Sequence, residues 1–317
     1  MKLGESVSCQ QLLTTYKRKN LRHFGKKLQF DGVGTCDVYN ITAPFADGGE
    51  LVIAGRVEKR ESEDSEVIFF IEKDGKWVPK AGAPTFRLQD PFVTRIGGEL
   101  IFGGVQIFPH PEKAGQLSWR TKFYRGSNLN NLRPFATGPD GMKDLRLVEL
   151  TDGKIGVFTR PQGKIGGRGT IGFIKINTLD DLTVENIQKA RLLKNQFLPE
   201  EWGGANEVHL LQNGLLGVLG HIACFSTGDC RHYYSMVFPF EPELEIAGPM
   251  EIIACRDDFP KGPAKRETLN DVLFSGGLCR NEDGTATLYV GVSDAEAHYI
   301  TIPDPFRKYE RIASWGK

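Results

Sequence analysis

The residue with the most definite chemical setting in this chain is Asp90, in the run RLQDPFVTRIGGEL. It directly precedes Pro91, and proline pushes the residue before it toward extended backbone, so Asp90 is expected in a fixed pose at the start of a strand. Two readings stand on these residues: an aspartate that satisfies a turn, and a carboxyl group poised for proton transfer. Downstream, GPDGMKDLRLVELTDGKIGVFTRPQG (138–163) crowds Lys143, Asp144, Arg146 and Arg160 around an expected hairpin. Asp144 and Arg146 share a strand face. They either pair with each other at the surface, or leave the charge of Lys143 and Arg160 free for an anion, with phosphate the obvious candidate. The glycine-rich GKIGGRG (163–169) carries Lys164 and Arg168 but lacks the GxxxxGK[ST] spacing of a phosphate loop. It reads as a mobile cationic loop over an anion site or as an ordinary hairpin loop.

Other polar residues fall at comparable places. Arg56 and Glu58 share a strand face, and Asn40, in DVYNITAPF, can look toward the same centre. In EWGGANE (201–207), Trp202, Asn206 and Glu207 stand just before a strand. An aromatic platform stacks on the C–H face of a sugar while amides and carboxylates take its hydroxyls; the alternative is Trp202 as a core plug. His221, Cys224, Cys230 and His232 match no zinc finger or ribbon spacing, so no metal is expected. His221 reads instead as a channel residue or an anion contact. In CRDDFPKGPAKRETLNDVLFSGGL the charged part, with Lys265 and Arg266, reads as a solvated loop, while Asp271 and Ser275 flank an apolar run before Gly276-Gly277. Asp294, in LYVGVSDAEAHY, stands where a central carboxylate belongs.

The elements that must position these residues repeat. GGELVIAGRVE (48–58), GGELIFGGVQ (97–106), DGKIGVFTR (152–160), NGLLGVLGH (213–221) and DGTATLYVGVSD (283–294) each pass from a turn through a β-rich run to a polar end. Turn dipeptides before β-rich runs signal hairpins, and a period of roughly fifty residues points to a propeller. The repeated runs are read as its innermost strands, whose polar ends meet in a central channel. The expected fold is all-β: a single five-bladed propeller over residues 1–317, with a helical N-terminal extension over 1–30. Within that extension SCQQLLTTYKRKNLRHF (8–24) suits an amphipathic helix with Ser8 as N-cap. A second helix is expected over 180–190, started by Asp180 and Asp181. IFFIEKDGKWVP (68–79) reads as a hairpin about Asp74-Gly75, and 231–243 and 297–306 as strands.

Composition excludes several classes. Forty acidic and forty basic residues among 317 leave no net charge, so nothing favours nucleic acid or an anionic membrane. The six cysteines are scattered, as in reduced cytoplasmic proteins. The N-terminus lacks the apolar core of a secretory signal, and no run approaches the ~18 apolar residues of a membrane span. A soluble, cytoplasmic protein is expected.

At YNITAPF, AGRVE, LQDPFVTRIGGEL, GPDGMKDLR, VFTRPQG, EWGGANEVHLL, DVLFSGGL and LYVGVSDAEAHY, in that order over about residues 30–306, the chain resembles the inverting β-mannoside phosphorylases. It also resembles the related mannogen transferase-phosphorylase group of five-bladed propellers. The resemblance implies that Asp90, in the family's (E/Q)DP motif, is the general acid, acting through a sugar hydroxyl. Phosphate then attacks the anomeric carbon to give mannose 1-phosphate, and the reverse reaction transfers mannose to an acceptor. The transferase-phosphorylase group also uses a nucleotide-sugar donor. The resemblance places anion contacts on Arg56, Lys143, Arg146, Arg160, Arg168 and His221, and sugar contacts on Asn40, Asp144, Asn206, Asp271 and Asp294. It implies small sugars and phosphate as partners and no cofactor. Where the phosphorylase pattern has arginine after the DP, this chain has Phe92. Two other activities fit the same fold: an inverting glycoside hydrolase with Glu58, Glu207 or Asp294 as base, and a glycan-binding propeller without catalysis.

Overall fold

The computed structural model describes residues 6–21 and 24–312, and its regular structure is mostly strands in antiparallel pairs, with four short α-helices. Turn chemistry delimits them. Asp74 and Gly75 both take positive φ, 51° and 79°, the primed turn that matches strand twist. They join Glu66–Lys73 to Lys76–Pro79 with Lys73 opposite Lys76.

The strands form successive meanders. The first runs Asp37–Tyr39, Glu50–Glu58, Glu66–Lys73, Lys76–Pro79, and the second Gln89–Ile96, Glu99–Pro109, Leu117–Gly126, Arg133–Thr137. The third runs Arg146–Glu149, Ile155–Thr159, Gly172–Ile176, Arg191–Leu192. The remaining nine-stranded sheet divides into two further meanders. One is led by Trp202–Leu210, Leu216–Phe225 and Arg231–Glu241, the other by Asp271–Arg280, Thr285–Val292 and Glu296–Pro303. A short parallel pairing, His232 with Asp271 and Tyr233 with Val272, joins them.

Apolar side chains from facing sheets interlock between consecutive meanders: Val52 and Phe69 with Leu100 and Phe102, Ile101 and Phe123 with Leu147 and Val157, Phe158 and Phe173 with Val218 and Phe240. Leu219 and Val237 then meet Leu273 and Ile300, and Val38 and Phe70 meet Ala297, so the last meander packs on the first. Each sheet is therefore apolar on both faces, which is why its strands lack clean alternation.

Five sequence expectations need correction. The repeated runs are not the leading strands but the second strand of each meander. Antiparallel pairing sets the end of each second strand beside the start of its leading strand: Arg56 lies opposite Tyr39, and His221 opposite Gly204. The polar ends of the repeats still reach the centre for that reason. The segment 1–30 is not only helical, because Lys26–Lys27 pairs with Tyr299 and His298 and covers the edge of the last meander, an edge that would otherwise stay unpaired. The helix expected over 8–24 spans Cys9–Arg18, capped by Ser8 and Gln11, with Leu12, Leu13 and Tyr16 buried; residues 22 and 23 lie outside the described residues. Over 180–190 the helix begins later, at Val184, because Thr183 caps it while Asp181 closes a separate turn on Thr178. The loop 163–169 opens with a helical turn, Gly163–Gly166. Among the described residues no helix is long and apolar enough to cross a membrane.

The leading strands of the second, third, fourth and fifth meanders touch one another in chain order, and close approach there depends on glycine. At Gly276, in an irregularity of the fifth leading strand, a Cβ would stand 1.8 Å from the Ile41 carbonyl oxygen. Backbone cannot yield as a side chain can, so Gly276→Ala is expected to lower stability by at least ~1–3 kcal/mol. Urea denaturation checks this; an unchanged midpoint would mean that these strands do not approach so closely.

Candidate active site

The starts of the leading strands converge on one cavity, lined among others by Asn40, Asp90, Asp144 and Asp294 with Arg56, Lys143 and Lys265. Asn40, Asp90 and Asp144 hold φ of 45°, 48° and 59°, the left-handed region that asparagine and aspartate enter more readily than most residues. Asp90 is thus not in the extended backbone expected before proline. Register breaks between Gln89 and Phe92, and Pro91 has no N–H to lose from the ladder at such a bulge. The break turns the Asp90 carboxyl inward, where it is 6% exposed.

Asp90 Oδ1 accepts from Asn40 Nδ2 at 2.8 Å and lies 3.2 Å from Arg56 Nη1. Burial would raise its pKa, but the charges of Arg56 and Lys143 and the Asn40 hydrogen bond outweigh it and hold the carboxyl below its ordinary range. Arg56 is anchored in turn by Glu58, whose Oε2 accepts from Nη2 at 3.0 Å and Nε at 3.3 Å. Glu58 also accepts from Tyr39, Ser65 and Lys265.

A second buried pair lies alongside. Arg160 Nη1 donates to Asp144 Oδ2 at 3.1 Å and its Nε to the Gly203 carbonyl at 2.9 Å. Burial raises the Asp144 pKa, yet Arg160 and Lys143 bring it down to about 2. His221 Nδ1 lies 2.8 Å from Asn206 Oδ1, and burial drives the imidazole pKa down to about 3. His221 is therefore neutral at pH 7 and has no charge to give an anion. Burial pushes the Asp294 carboxyl up, the Asp90 charge adding to the effect. Asn40 Oδ1, Asp144 Oδ1 and Asn206 Nδ2 are buried without a hydrogen-bond partner. Such atoms are costly; Asn40 and Asp144 line the cavity, where hydroxyls of a bound ligand would satisfy theirs.

Of the residues singled out from sequence, Asn40, Arg56, Asp90, Lys143, Asp144, His221 and Asp294 line this cavity. Asn206 stands behind His221. The other expected contacts lie elsewhere. Arg146 does not pair with Asp144: it donates to the carbonyls of Asn206 and Leu145 and lies 4.3 Å over the Phe92 ring. Arg160 is spent on Asp144, and Gly169 leaves its guanidinium no slack, since a Cβ there would sit 2.7 Å from Nε. Arg168 is exposed and lies over Phe225. Trp202 is buried against Phe225 and donates to the Tyr233 hydroxyl at 3.0 Å. Glu207 accepts from the Leu278 N–H and lines a different cavity with Phe92 and Thr42. Asp271 accepts from Tyr234 and meets His232 Nδ1 at 2.6 Å, again beside a separate cavity.

The sequence reading missed Glu63, Arg231, Tyr233 and, as a site residue, Lys265, which all line the main cavity. Tyr233 stacks on His221 with ring centroids 5.3 Å apart. Lys265, taken for part of a solvated loop, has a side chain only 3% exposed and paired with Glu58. No local signal marks it, because its partner is 207 residues away. Among the described residues no group of three or more His, Cys, Asp or Glu could hold a metal ion.

A family described as "Protein of unknown function (DUF1861)" matches residues 15–308. MPT-4, a mannose phosphorylase from Leishmania mexicana solved in complex with phosphate ion, is similar at 34% identity over 96% of each chain, with a TM-score of 0.87. MPT-1, a GDP-Man-dependent mannosyltransferase from the same organism, is similar at 32% identity over 97% of each chain, with a TM-score of 0.86. A 4-O-beta-D-mannosyl-D-glucose phosphorylase from Bacteroides fragilis aligns at 25% identity over 158 residues, which span 48% of this chain and only 40% of that protein.

The neutral His221 couples stability to pH. Its folded pKa, about 3, lies below the ~6.5 of an unfolded histidine, so the unfolded chain binds the proton first as pH falls. Stability present above pH ~6.5 is therefore lost on acidification, by at most about 1.4 kcal/mol per pH unit. Asp144 adds its own loss only below an unfolded aspartate's ~3.9. Between pH 6.5 and about 4.5, thermal melts of His221→Gln are expected to shift less with pH than those of the wild type; parallel shifts would contradict a neutral buried ring.

Proposed function

The chain belongs to the DUF1861 family, and from that premise we propose that it is an inverting β-mannoside phosphorylase and mannosyltransferase. It would interconvert β-1,2-linked mannosides plus phosphate with mannose 1-phosphate. The observation that carries this reading is the setting of Asp90: it stands beside Arg56, with Lys143 and Lys265 lining the same cavity, while Asp144 is already paired with Arg160. A phosphorylase needs such cations, since its nucleophile is already an anion, whereas an inverting hydrolase needs a second carboxylate to activate water. Two of the three candidates for that base are unavailable: Glu58 is held by Tyr39, Ser65, Arg56 and Lys265, and Glu207 lines another cavity. Asp294, whose pKa burial raises, lines the cavity and is the base that hydrolysis would have to use.

In this mechanism a phosphate oxygen bonds to the anomeric carbon from the face opposite the leaving oxygen. The glycosidic bond breaks, and the Asp90 proton passes through a sugar hydroxyl to the leaving oxygen. In transfer the steps reverse: the acceptor hydroxyl attacks mannose 1-phosphate, its proton goes to the Asp90 carboxylate, and phosphate leaves. The ionised state that Arg56 imposes on Asp90 is the one transfer requires. Phosphate bound to Arg56 and Lys143 offsets their charge and lifts the Asp90 pKa toward the protonated form that phosphorolysis requires. Asn40 and Asp144, with their unpaired atoms, would orient the mannose, with Asp294 on the same wall and Asn206 holding the His221 ring from behind. The five meanders are read as blades of a single propeller. A nucleotide-mannose donor is a second reading of the donor side, favoured by Arg231 and Arg266, which extend the cationic lining. Six free cysteines suit a reducing, cytoplasmic setting.

Incubation with mannose 1-phosphate and mannose is expected to release phosphate and form oligomannoside, and Asp90→Asn to lower the rate about 10²–10⁴-fold. Free mannose formed from β-mannoside without phosphate would replace this reading with hydrolysis. Glycan binding that survives Asp90→Asn, with no turnover of any sugar phosphate, nucleotide-mannose or β-mannoside, would replace it with a binding protein.

A further inference from the structure

Glu63 is the one cavity-lining acid that the mechanism leaves without a task. It lies in the connection between Glu50–Glu58 and Glu66–Lys73, and its side chain is 47% exposed. Its carboxylate nevertheless spans three cations. Oε2 stands 3.5 Å from Arg56 Nη2, while Oε1 stands 3.2 Å from Lys265 Nζ and 2.6 Å from Arg266 Nη2. Arg56 and Lys265 are themselves 6% and 3% exposed, so they are deep groups met by a surface loop. The Glu63 carbonyl accepts from Gln89 Nε2 at 3.2 Å, which rests the loop on the residue next to Asp90.

We propose that in the free protein Glu63 occupies the ground that inorganic phosphate takes during the reaction, so that phosphate enters by displacing it. This rests on the phosphorylase reading above. Carboxylate and phosphate seek the same charged N–H donors, and two oxygens spread over three cations present what a phosphate would present. Two of these cations, Arg56 and Lys265, carry a second carboxylate, Glu58, which differs in every respect that decides mobility. Glu58 is fully buried in its side chain and is held by four residues, whereas Glu63 reaches in from a strand connection and keeps half its side chain in solvent. Partly exposed ion contacts are individually weak, so an arriving dianion can replace them. Glu63 then has two effects: it keeps the buried guanidinium and ammonium groups neutralised when no substrate is present, and it weakens phosphate binding by competing for them.

The test is calorimetric titration of inorganic phosphate into the full-length wild type, Glu63→Gln and Asp64→Asn at fixed pH and ionic strength. Asp64→Asn removes the same charge from the same loop. Glu63→Gln is expected to bind phosphate about three- to tenfold more tightly, the size of one to three such contacts, and Asp64→Asn to match the wild type. Binding by Glu63→Gln that is equal or weaker would overturn the inference, because the carboxylate would then be supporting the cations rather than competing for them. Equal tightening in both variants would overturn it as a general effect of loop charge. No phosphate binding by any of the three would remove the phosphorylase reading itself, whereas tight wild-type binding unaffected by Glu63→Gln removes only the role of Glu63.

Discussion

The structure depends on how a guanidinium is kept charged in a nearly dry place. Arg56 is buried, and an unpartnered buried cation would cost several kcal/mol. Glu58 on one side and Asp90 on the other remove that penalty, and each carboxylate is held in turn by further donors. Remove Arg56 and both carboxylates lose the charge that keeps them ionised. Beside it the Asp144 and Arg160 pair repeats the arrangement, closed off by a neutral imidazole. The apolar layers between sheets supply the bulk of the folding energy by area. The polar centre sets where those layers must stop.

Much of the strand layout could be read in the sequence because its signals are local. Asp74-Gly75 turns where a hairpin was expected, and Ser8 caps the helix it was expected to cap, with Gln11 completing the box. Asp90 was singled out by its neighbour Pro91, and that neighbour does shape its pose, though through a bulge rather than through extended backbone. The residues misread share one cause. Lys265 looks like any lysine in a charged loop until Glu58 is brought to it from the far end of the chain. Arg146 and Asp144 looked like a pair because strand spacing puts them on one face. The next strand of the same meander supplies Arg160 to Asp144, and a neighbouring sheet supplies the Asn206 carbonyl to Arg146 instead. Partners across sheets have no signature in either segment alone.

The five meanders repeat in outline but differ where their leading strands meet. Asn40, Asp90, Asp144 and Asn206 occupy the turned-in positions of four of them, and Gly276 stands at the irregularity of the fifth. The missing side chain there lets the Ile41 carbonyl press against the strand.

The two-residue strand Lys26–Lys27, paired with His298 and Tyr299, has a consequence for the order of assembly. The strand that it pairs with comes after the first four meanders in the chain, so the final sheet joins segments far apart in sequence. Contacts between such distant segments carry a large loop-closure entropy and slow the search for the native state. Wherever Lys26–Lys27 is undocked, the last meander presents an open strand edge of the kind that pairs with other chains.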